Sequence, residues 1–308
     1  MLLITRDLPP DVLARARREH ETRELHLQGP FAPQSVLDNL AGVDAILCNA
    51  ADKFDAALIA DLPASVKVIA TVSVGLEHID LEAAAARGIA ICNTPDVLTN
   101  ATAEVGLMLM LMAARRAGEG ERLLRAGQWK GFSATFNLGR DVTGKTLGIF
   151  GMGRIGRRLA EMARGLDMQI HYHNRHRLEP ALEAGAIYHT DDASFLGAID
   201  FLSINAPGGP QTRHWLNAER IGMLRPGAIV VNTGRGSTVD DEALIAALRS
   251  LHVAAAGLDV FNNEPNLNPG YLTLENAVLL PHIGSATVET RNAMGFLALD
   301  GIAKALAI

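Results

Sequence analysis

The run Ile149-Phe150-Gly151-Met152-Gly153-Arg154-Ile155-Gly156 constrains the fold more than any other stretch of the chain. It sets a G-x-G-x-x-G turn directly after a short apolar segment. Directly after the turn comes Arg157-Arg158-Leu159-Ala160-Glu161-Met162-Ala163-Arg164-Gly165, which has the composition of a helix. Strand, glycine turn and helix in that order is the context a dinucleotide-binding fingerprint requires. Gly151 permits the tight turn, Gly153 lets the backbone approach a pyrophosphate, and Gly156 lets helix and strand pack closely. The helix N-terminus then presents N–H groups and the positive end of its dipole to the phosphates. A bare G-x-G-x-x-G is weak; in this context cofactor binding is favoured over a ligand-free turn.

The fingerprint starts near the middle of 308 residues, a length that suggests roughly two domains. Upstream, residues 2–5, 25–27, 45–48, 66–72 and 89–92 read as strands, and 11–20, 35–40, 55–60 and 81–87 as helices. This βα alternation predicts a parallel sheet with helices on both faces. Asn93-Thr94-Pro95 breaks the pattern. A long apolar helix then begins at Asn100 and includes Val105 to Met112, apolar enough to be buried on more than one side. It is too short for a membrane span of about 20 residues. The first residues, Met1-Leu2-Leu3-Ile4-Thr5, read as a strand and not as a signal peptide. At net charge −6, with scattered basic residues, no nucleic-acid partner is expected. Cys48 and Cys92 are the two cysteines; in apolar runs they read as buried structural thiols. A cytoplasmic protein with no membrane partner follows.

The second α/β half is informative at its strand ends. Residues 168–172 are followed by His173-Asn174-Arg175, 199–204 by Asn205-Ala206-Pro207, and 228–231 by Asn232-Thr233-Gly234-Arg235-Gly236. Residues 254–258 are followed by Asp259, and 278–280 by Pro281-His282. Ligands of open α/β sheets bind outside the carboxyl ends of the strands. That edge collects Asn174, Arg175, Arg235, Asp259 and His282, with Glu264 in the loop just after Asp259.

In order and combination these motifs resemble the D-2-hydroxyacid dehydrogenase family over nearly the whole chain. The matching stretches are Ser73-Val74-Gly75-Leu76-Glu77-His78-Ile79-Asp80, Thr102-Ala103-Glu104, the glycine fingerprint and Asn232 to Gly236. Gly257-Leu258-Asp259-Val260-Phe261-Asn262-Asn263-Glu264-Pro265 and Pro281-His282-Ile283-Gly284-Ser285-Ala286-Thr287 complete them. The chain looks most like the glyoxylate/hydroxypyruvate reductase branch. The resemblance implies an α/β fold of two Rossmann-like, doubly wound parallel-sheet domains with the active site in the cleft between them. A substrate-binding domain over 1–99 would be completed by 287–308, and a dinucleotide-binding domain would span 100–286. A helix over 290–307 would pack on the first domain. The chain ends at Ile308, where relatives often continue with a short tail.

The reaction implied is reduction of a small 2-keto acid by hydride transfer from a nicotinamide cofactor. Arg235, Glu264 and His282 match the family's catalytic arginine, glutamate and histidine. An ordinary histidine titrates near 6.5, which suits His282 as proton donor, a role worth roughly 10²–10⁴ in rate. Glu264 beside it favours the imidazolium and fixes the ring. Arg235 suits the substrate carboxylate and the polarised keto oxygen. Substrate contacts are also expected from the backbone at Val74 and Gly75, with Asn49 and Trp129 as weaker candidates.

Cofactor contacts are expected from Thr102, from Gly151, Met152, Gly153, Arg154, Ile155 and Gly156, and from Ala206, Pro207, Thr233, Gly234 and Asp259. Asn174 stands where an acid would hydrogen-bond the ribose 2′-OH of NAD. Arg175 after it supplies a guanidinium suited to phosphate. NADPH/NADP+ is therefore expected over NADH/NAD+. His171, His173 and His176 have no cysteine or acid at typical ligand spacing, so no metal is expected. A homodimer is expected from the family and the 105–112 helix. The alternatives are phosphoglycerate dehydrogenase, which often carries a further domain, and a dinucleotide-sensing corepressor on the same fold. Formate dehydrogenase is disfavoured because that branch lacks the acid found here as Glu264.

Overall fold

A computed structural model describes residues 1–307. The chain divides into two compact units, Met1–Leu98 with Ser285–Ile308, and Thr99–Gly284; Ile308 itself lies outside the described residues.

The first unit alternates β1 (Leu2–Ile4), α1 (Pro10–Glu19), β2 (Thr22–Glu24), α2 (Pro33–Leu37), β3 (Ala45–Cys48), α3 (Ala56–Asp61), β4 (Val68–Thr71), α4 (Leu81–Ala86) and β5 (Ala90–Cys92). Its five strands pair in parallel in the order β2-β1-β3-β4-β5. β1, β3 and β4 are buried throughout and apolar except for Thr71 at the end of β4, as expected of strands covered on both faces. β2 corrects the sequence reading. The apolar 25–27 run is not the strand; the polar Thr22-Arg23-Glu24 pairs with Leu2-Leu3-Ile4 instead. At a half-exposed edge, main-chain pairing outweighs side-chain hydrophobicity. Cys48 is buried, but Cys92 is only half-buried, which corrects the expectation of two buried thiols.

The second unit opens with α5 (Thr99–Ala114) and α6 (Ala117–Arg125). It continues with β6 (Thr146–Phe150), α7 (Arg154–Arg164), β7 (Gln169–His173), α8 (Pro180–Glu183), β8 (Ile187–His189), α9 (Asp192–Leu196) and β9 (Phe201–Ile204). It ends with α10 (Ala218–Met223), β10 (Ala228–Asn232), α11 (Asp241–Arg249), β11 (Val253–Leu258) and β12 (Ala277–Leu279). The chain then returns to the first unit as α12 (Val288–Leu306), which packs on β4, β5 and α1.

The second sheet has seven parallel strands in the order β12-β11-β10-β9-β6-β7-β8. Both units are Rossmann-like α/β structures. In this sheet the direction of winding reverses between β6 and β9, the place where such folds bind ligands. The sequence reading foresaw six of these strands and missed the three-residue edge strand β8. α5 is buried along Ala103, Gly106, Leu109, Met110 and Ala113. It lies so close on β11 that a Cβ at Gly257 would stand 2.8 Å from Leu109 Cβ.

Candidate active site

The glycine turn follows β6 at the reversal point. Gly151 adopts φ 88, and a Cβ there would meet Ala206 N at 2.5 Å. A Cβ on Gly156 would stand 2.8 Å from Gly151 O and 2.9 Å from Ile149 Cγ2. Both positions therefore need glycine for the turn and for strand–helix packing. Gly153 differs: a Cβ there would meet nothing within 4 Å, so this side of the turn is open. Helices α3, α4, α9, α10 and α11 each start on an Asp or Asn side chain that accepts a backbone N–H, the usual satisfaction of a helix start. α7 starts on Gly153 with no side-chain cap. An open glycine before an uncapped eleven-residue helix fits a pyrophosphate. Met152 is buried, Ile155 half-buried and Arg154 exposed.

Asn174 follows β7 and touches this turn directly: Met152 N donates to its Oδ1 at 2.7 Å. Its carbonyl oxygen is thereby engaged, and its NH₂ remains as the donor end. The root of the 174–178 turn is tied down. Arg177 donates from Nε and Nη2 to the two oxygens of Glu183, whose Oε1 also accepts from Tyr172 Oη at 2.5 Å. Leu178 N donates to that same Tyr172 Oη at 3.0 Å. Glu183 and Tyr172 are buried, while Arg175 and His176 are exposed.

Of the three histidines near this edge, His171 pairs with His189 (Nδ1 to Nε2, 2.9 Å), and His173 Nδ1 lies 2.9 Å from His189 O. His189 was not foreseen as their partner. Burial holds His171 and His189 below the ordinary value of 6.5, so both favour the neutral form. Among the described residues no cluster of three metal-ligating side chains is present.

Arg235 is presented by a turn built from beneath. Asn232, 1% exposed, receives Gly234 N on its Oδ1 at 3.0 Å and donates from Nδ2 to Arg235 O at 3.0 Å. Arg235 O also accepts from Thr238 Oγ1 at 2.6 Å. Glycines bracket the arginine for steric reasons. A Cβ on Gly234 would stand 2.8 Å from Ala206 O, and one on Gly236 would fall 1.9 Å from the Phe261 carbonyl carbon. The Arg235 turn is thus pressed against the start of the segment that carries Glu264. Thr233 is buried and donates to Asn205 Oδ1 at 3.1 Å. Ala206 is buried and Pro207 exposed.

Glu264 accepts Phe261 N on Oε1 at 2.8 Å, and its Oε2 lies 2.7 Å from His282 Nδ1. The hydrogen bond to Glu264 raises His282 above its ordinary 6.5, against the effect of burial. Burial alone would raise the Glu264 carboxyl, but the bond with His282 and the charges of His282 and Arg235 bring it below 4.5. A protonated imidazole and an ionised carboxylate are therefore the favoured pair.

His282 has φ 54, a left-handed conformation uncommon for a side chain with a Cβ. Asp259, 1% exposed, holds it there. Its Oδ1 accepts Ile283 N and its Oδ2 accepts Gly284 N, both at 2.7 Å. Burial outweighs these two donors, and the Asp259 carboxyl sits above its ordinary value. Thr102 on α5 donates to Gly284 O at 3.1 Å. Asp259 and Thr102, both expected as cofactor contacts, thus also fasten the histidine turn.

In the first unit, Val74 and Gly75 lie in the turn after β4. Asn93 Nδ2 donates to Val74 O and Ser73 Oγ to Gly75 O, both at 2.8 Å. Asn49 caps its own turn, its Oδ1 accepting Ala51 N, and Trp129 of the second unit is exposed.

Residues 107–284 match the family described as D-isomer specific 2-hydroxyacid dehydrogenase, NAD binding domain. The chain belongs to that family. The dehydrogenase is 42% identical to glycerate dehydrogenase of Hyphomicrobium methylovorum over 97% of this chain and 94% of that one. It is 40% identical to glyoxylate reductase of Thermococcus litoralis, over 96% of this chain and 90% of the relative. Its fold superposes with a TM-score of 0.86 on the NADPH-dependent glyoxylate/hydroxypyruvate reductase of Sinorhizobium meliloti solved with NADP and malonate. That structure is 36% identical, with 97% of this chain and 91% of that chain covered. The dehydrogenase is therefore an oxidoreductase that interconverts 2-keto and D-2-hydroxy acids with a nicotinamide dinucleotide.

Proposed function

We propose that the dehydrogenase reduces a small 2-keto acid, glyoxylate or hydroxypyruvate, with NADPH, as a cytoplasmic homodimer. The observation that carries the chemistry is the 2.7 Å pair of His282 and Glu264, with the Arg235 turn packed against the same segment. When bound, the cofactor supplies a hydride to the keto carbon. His282, charged through Glu264, donates its Nε2 proton to the keto oxygen, and Glu264 holds Nδ1. Arg235 binds the substrate carboxylate and favours the developing negative charge. A second carboxylate anchor is proposed at the amides of Val74 and Gly75, whose carbonyls are already engaged.

Preference for NADPH rests on Asn174 and Arg175. Asn174 spends its acceptor on Met152, so a donor remains for the ribose or its phosphate. An Asp there would present only acceptors and repel a 2′-phosphate. The other cofactor contacts proposed are Gly153, Arg154 and Ile155 at the pyrophosphate, with Ala206, Pro207, Thr233 and Gly234 from neighbouring strand ends.

The dimer reading is supported by the large apolar side chains that the second unit leaves exposed, Met108, Leu111, Trp129, Phe132, Phe136 and Leu138, a residue class that interfaces bury. Light scattering should then return twice the 32.8 kDa chain mass.

Steady-state oxidation of NADPH and NADH with glyoxylate, hydroxypyruvate, pyruvate and a bulkier keto acid tests the whole reading. Fastest turnover is expected with NADPH and either glyoxylate or hydroxypyruvate. No turnover with any keto acid would leave a dinucleotide-sensing binding protein as the better reading. A preference for NADH would overturn the cofactor assignment alone.

A further inference from the structure

The turn that carries Arg175 meets the loop after β9 through one side-chain contact: Arg175 Nη1 donates to Gln211 Oε1 at 3.3 Å. Three acids of the flanking helices α8 and α9 are engaged elsewhere. Glu183 takes Arg177 and Tyr172, Asp192 takes Arg220 at 2.6 Å, and Asp191 caps α9 through Ser194. The side chain that accepts from Arg175 is thus a neutral one. The loop does not depend on the glutamine side chain for its shape. Thr212 Oγ1 donates to Pro207 O at 2.7 Å, and Thr212 N and Arg213 N donate to Gly209 O at 3.2 and 3.0 Å. Gly209 supplies the φ of 140 that this turn needs.

We propose that Gln211 is a specificity-determining residue for the cofactor: it orients the Arg175 guanidinium while leaving its charge uncompensated for a 2′-phosphate. The proposal rests on the reading of Arg175 given above. A glutamate has the same reach, but it would pair with the arginine and add a negative charge. A 2′-phosphate arriving there brings a charge of about −1.5 to −2. The glutamine instead offers its neutral carbonyl to Arg175 and adds no charge. It acts on selectivity and not on the hydride step, which lies at the other end of the dinucleotide.

The test is calorimetric titration of the intact protein with adenosine 2′,5′-bisphosphate and with 5′-AMP. Wild type, R175A, Q211E, Q211L and R175A/Q211L are compared. Q211E is expected to weaken the bisphosphate about tenfold, with 5′-AMP affinity held within about twofold. Q211L should weaken it by about threefold. R175A should weaken it about tenfold or more, and the double variant should match R175A, because the glutamine acts through the arginine. If R175A loses the bisphosphate preference while Q211E keeps it, the role of Gln211 is overturned and that of Arg175 stands. If R175A itself keeps the preference, the Arg175 reading falls and the Gln211 proposal with it. The NADPH-to-NADH ratio of kcat/KM should follow the same order across the variants.

Discussion

Two strand-end regions of the second unit are built on opposite plans. The turns that carry Arg235 and His282 are fixed from below through the main chain. Asn232 and Asp259, each 1% exposed, take or give hydrogen bonds to backbone groups around the functional residue. The 174–178 turn is held at its two ends, at Asn174 by Met152 and Tyr188 and at Arg177 and Leu178 by Glu183 and Tyr172. Its exposed Arg175 meets one exposed, neutral side chain. The difference teaches where each property can change. The proton transfer proposed for His282 would need tight geometry, and the buried Asp259 carboxylate under this left-handed histidine gives the turn a fixed shape. The cofactor preference proposed for Arg175 would need only charge of the right sign near one phosphate, which exposed side chains can carry without disturbing the fold.

The sharpest break in this comparison is H282A. It removes the proposed proton donor but leaves Asp259 and its two amide bonds in place. Turnover with the best keto acid should fall by roughly 10²–10⁴, while calorimetric binding of the cofactor stays near wild type. Wild-type turnover in H282A would remove His282 from the chemistry. A parallel loss of cofactor binding would mean that the turn, not the imidazole, was disturbed.

The steric side of the same region is tested by G236A. The new Cβ would fall 1.9 Å from the Phe261 carbonyl carbon, so the segment leading to Glu264 must move. Overpacking of this kind costs about 3 kcal/mol, read as a lower denaturant midpoint. A midpoint equal to wild type would show that the two turns are not pressed together. No comparable cost is expected from Q211L at the exposed turn, which fills no packed space.

The electrostatics are sharpened by E264Q. In the wild type the Glu264 bond lifts His282 above 6.5, so the imidazolium persists to higher pH and, with His282 as the proposed donor, keto-acid reduction should be retained there. Without the carboxylate, reduction should fail at lower pH, with about a tenfold loss at the alkaline end, while oxidation, which needs the neutral ring, extends to lower pH. A profile unchanged from wild type would remove Glu264 from the titration. The pair also sets a stability window. The histidine contribution is full below 6.5 and lost as pH rises through its raised value; the glutamate contribution is present above 4.5 and lost as pH falls through its lowered value. Both operate fully between these ordinary values. Each side chain is at least a third exposed, so solvent screens the effect on stability.

Much of this was legible in the sequence where the signal is local. The glycine fingerprint, the apolar strands and the polar residues after them depend on neighbours within a few positions, and they point to the parallel sheets; the catalytic roles of Arg235, Glu264 and His282 come from the resemblance to the family. β8 escaped because Ile187-Tyr188-His189 is too short to display a period. β2 was shifted toward an apolar run because pairing, not side-chain character, decides an edge strand. The supporting residues were hidden for another reason. Asn232 ends an apolar strand and Asp259 follows one, but their bonds run to turns whose shape is tertiary. Gln211 meets Arg175 across 36 residues, and nothing in a proline-glycine loop announces such a contact.

A final contrast separates two glycines three positions apart in one motif. A Cβ at Gly153 meets no protein atom within 4 Å, whereas one at Gly156 meets the Gly151 carbonyl oxygen at 2.8 Å. G153A should therefore leave the unfolding midpoint unchanged and weaken the dinucleotide by about tenfold, since the methyl occupies space the pyrophosphate needs. G156A should do the reverse in kind, lowering stability by about 1–3 kcal/mol because strand and helix must separate. Calorimetry with cofactor and denaturation of the unliganded protein read the two effects independently. If G153A bound cofactor as tightly as wild type, the open side of the turn would not be where the phosphates lie. The uncapped start of α7 would then have to be satisfied by water alone.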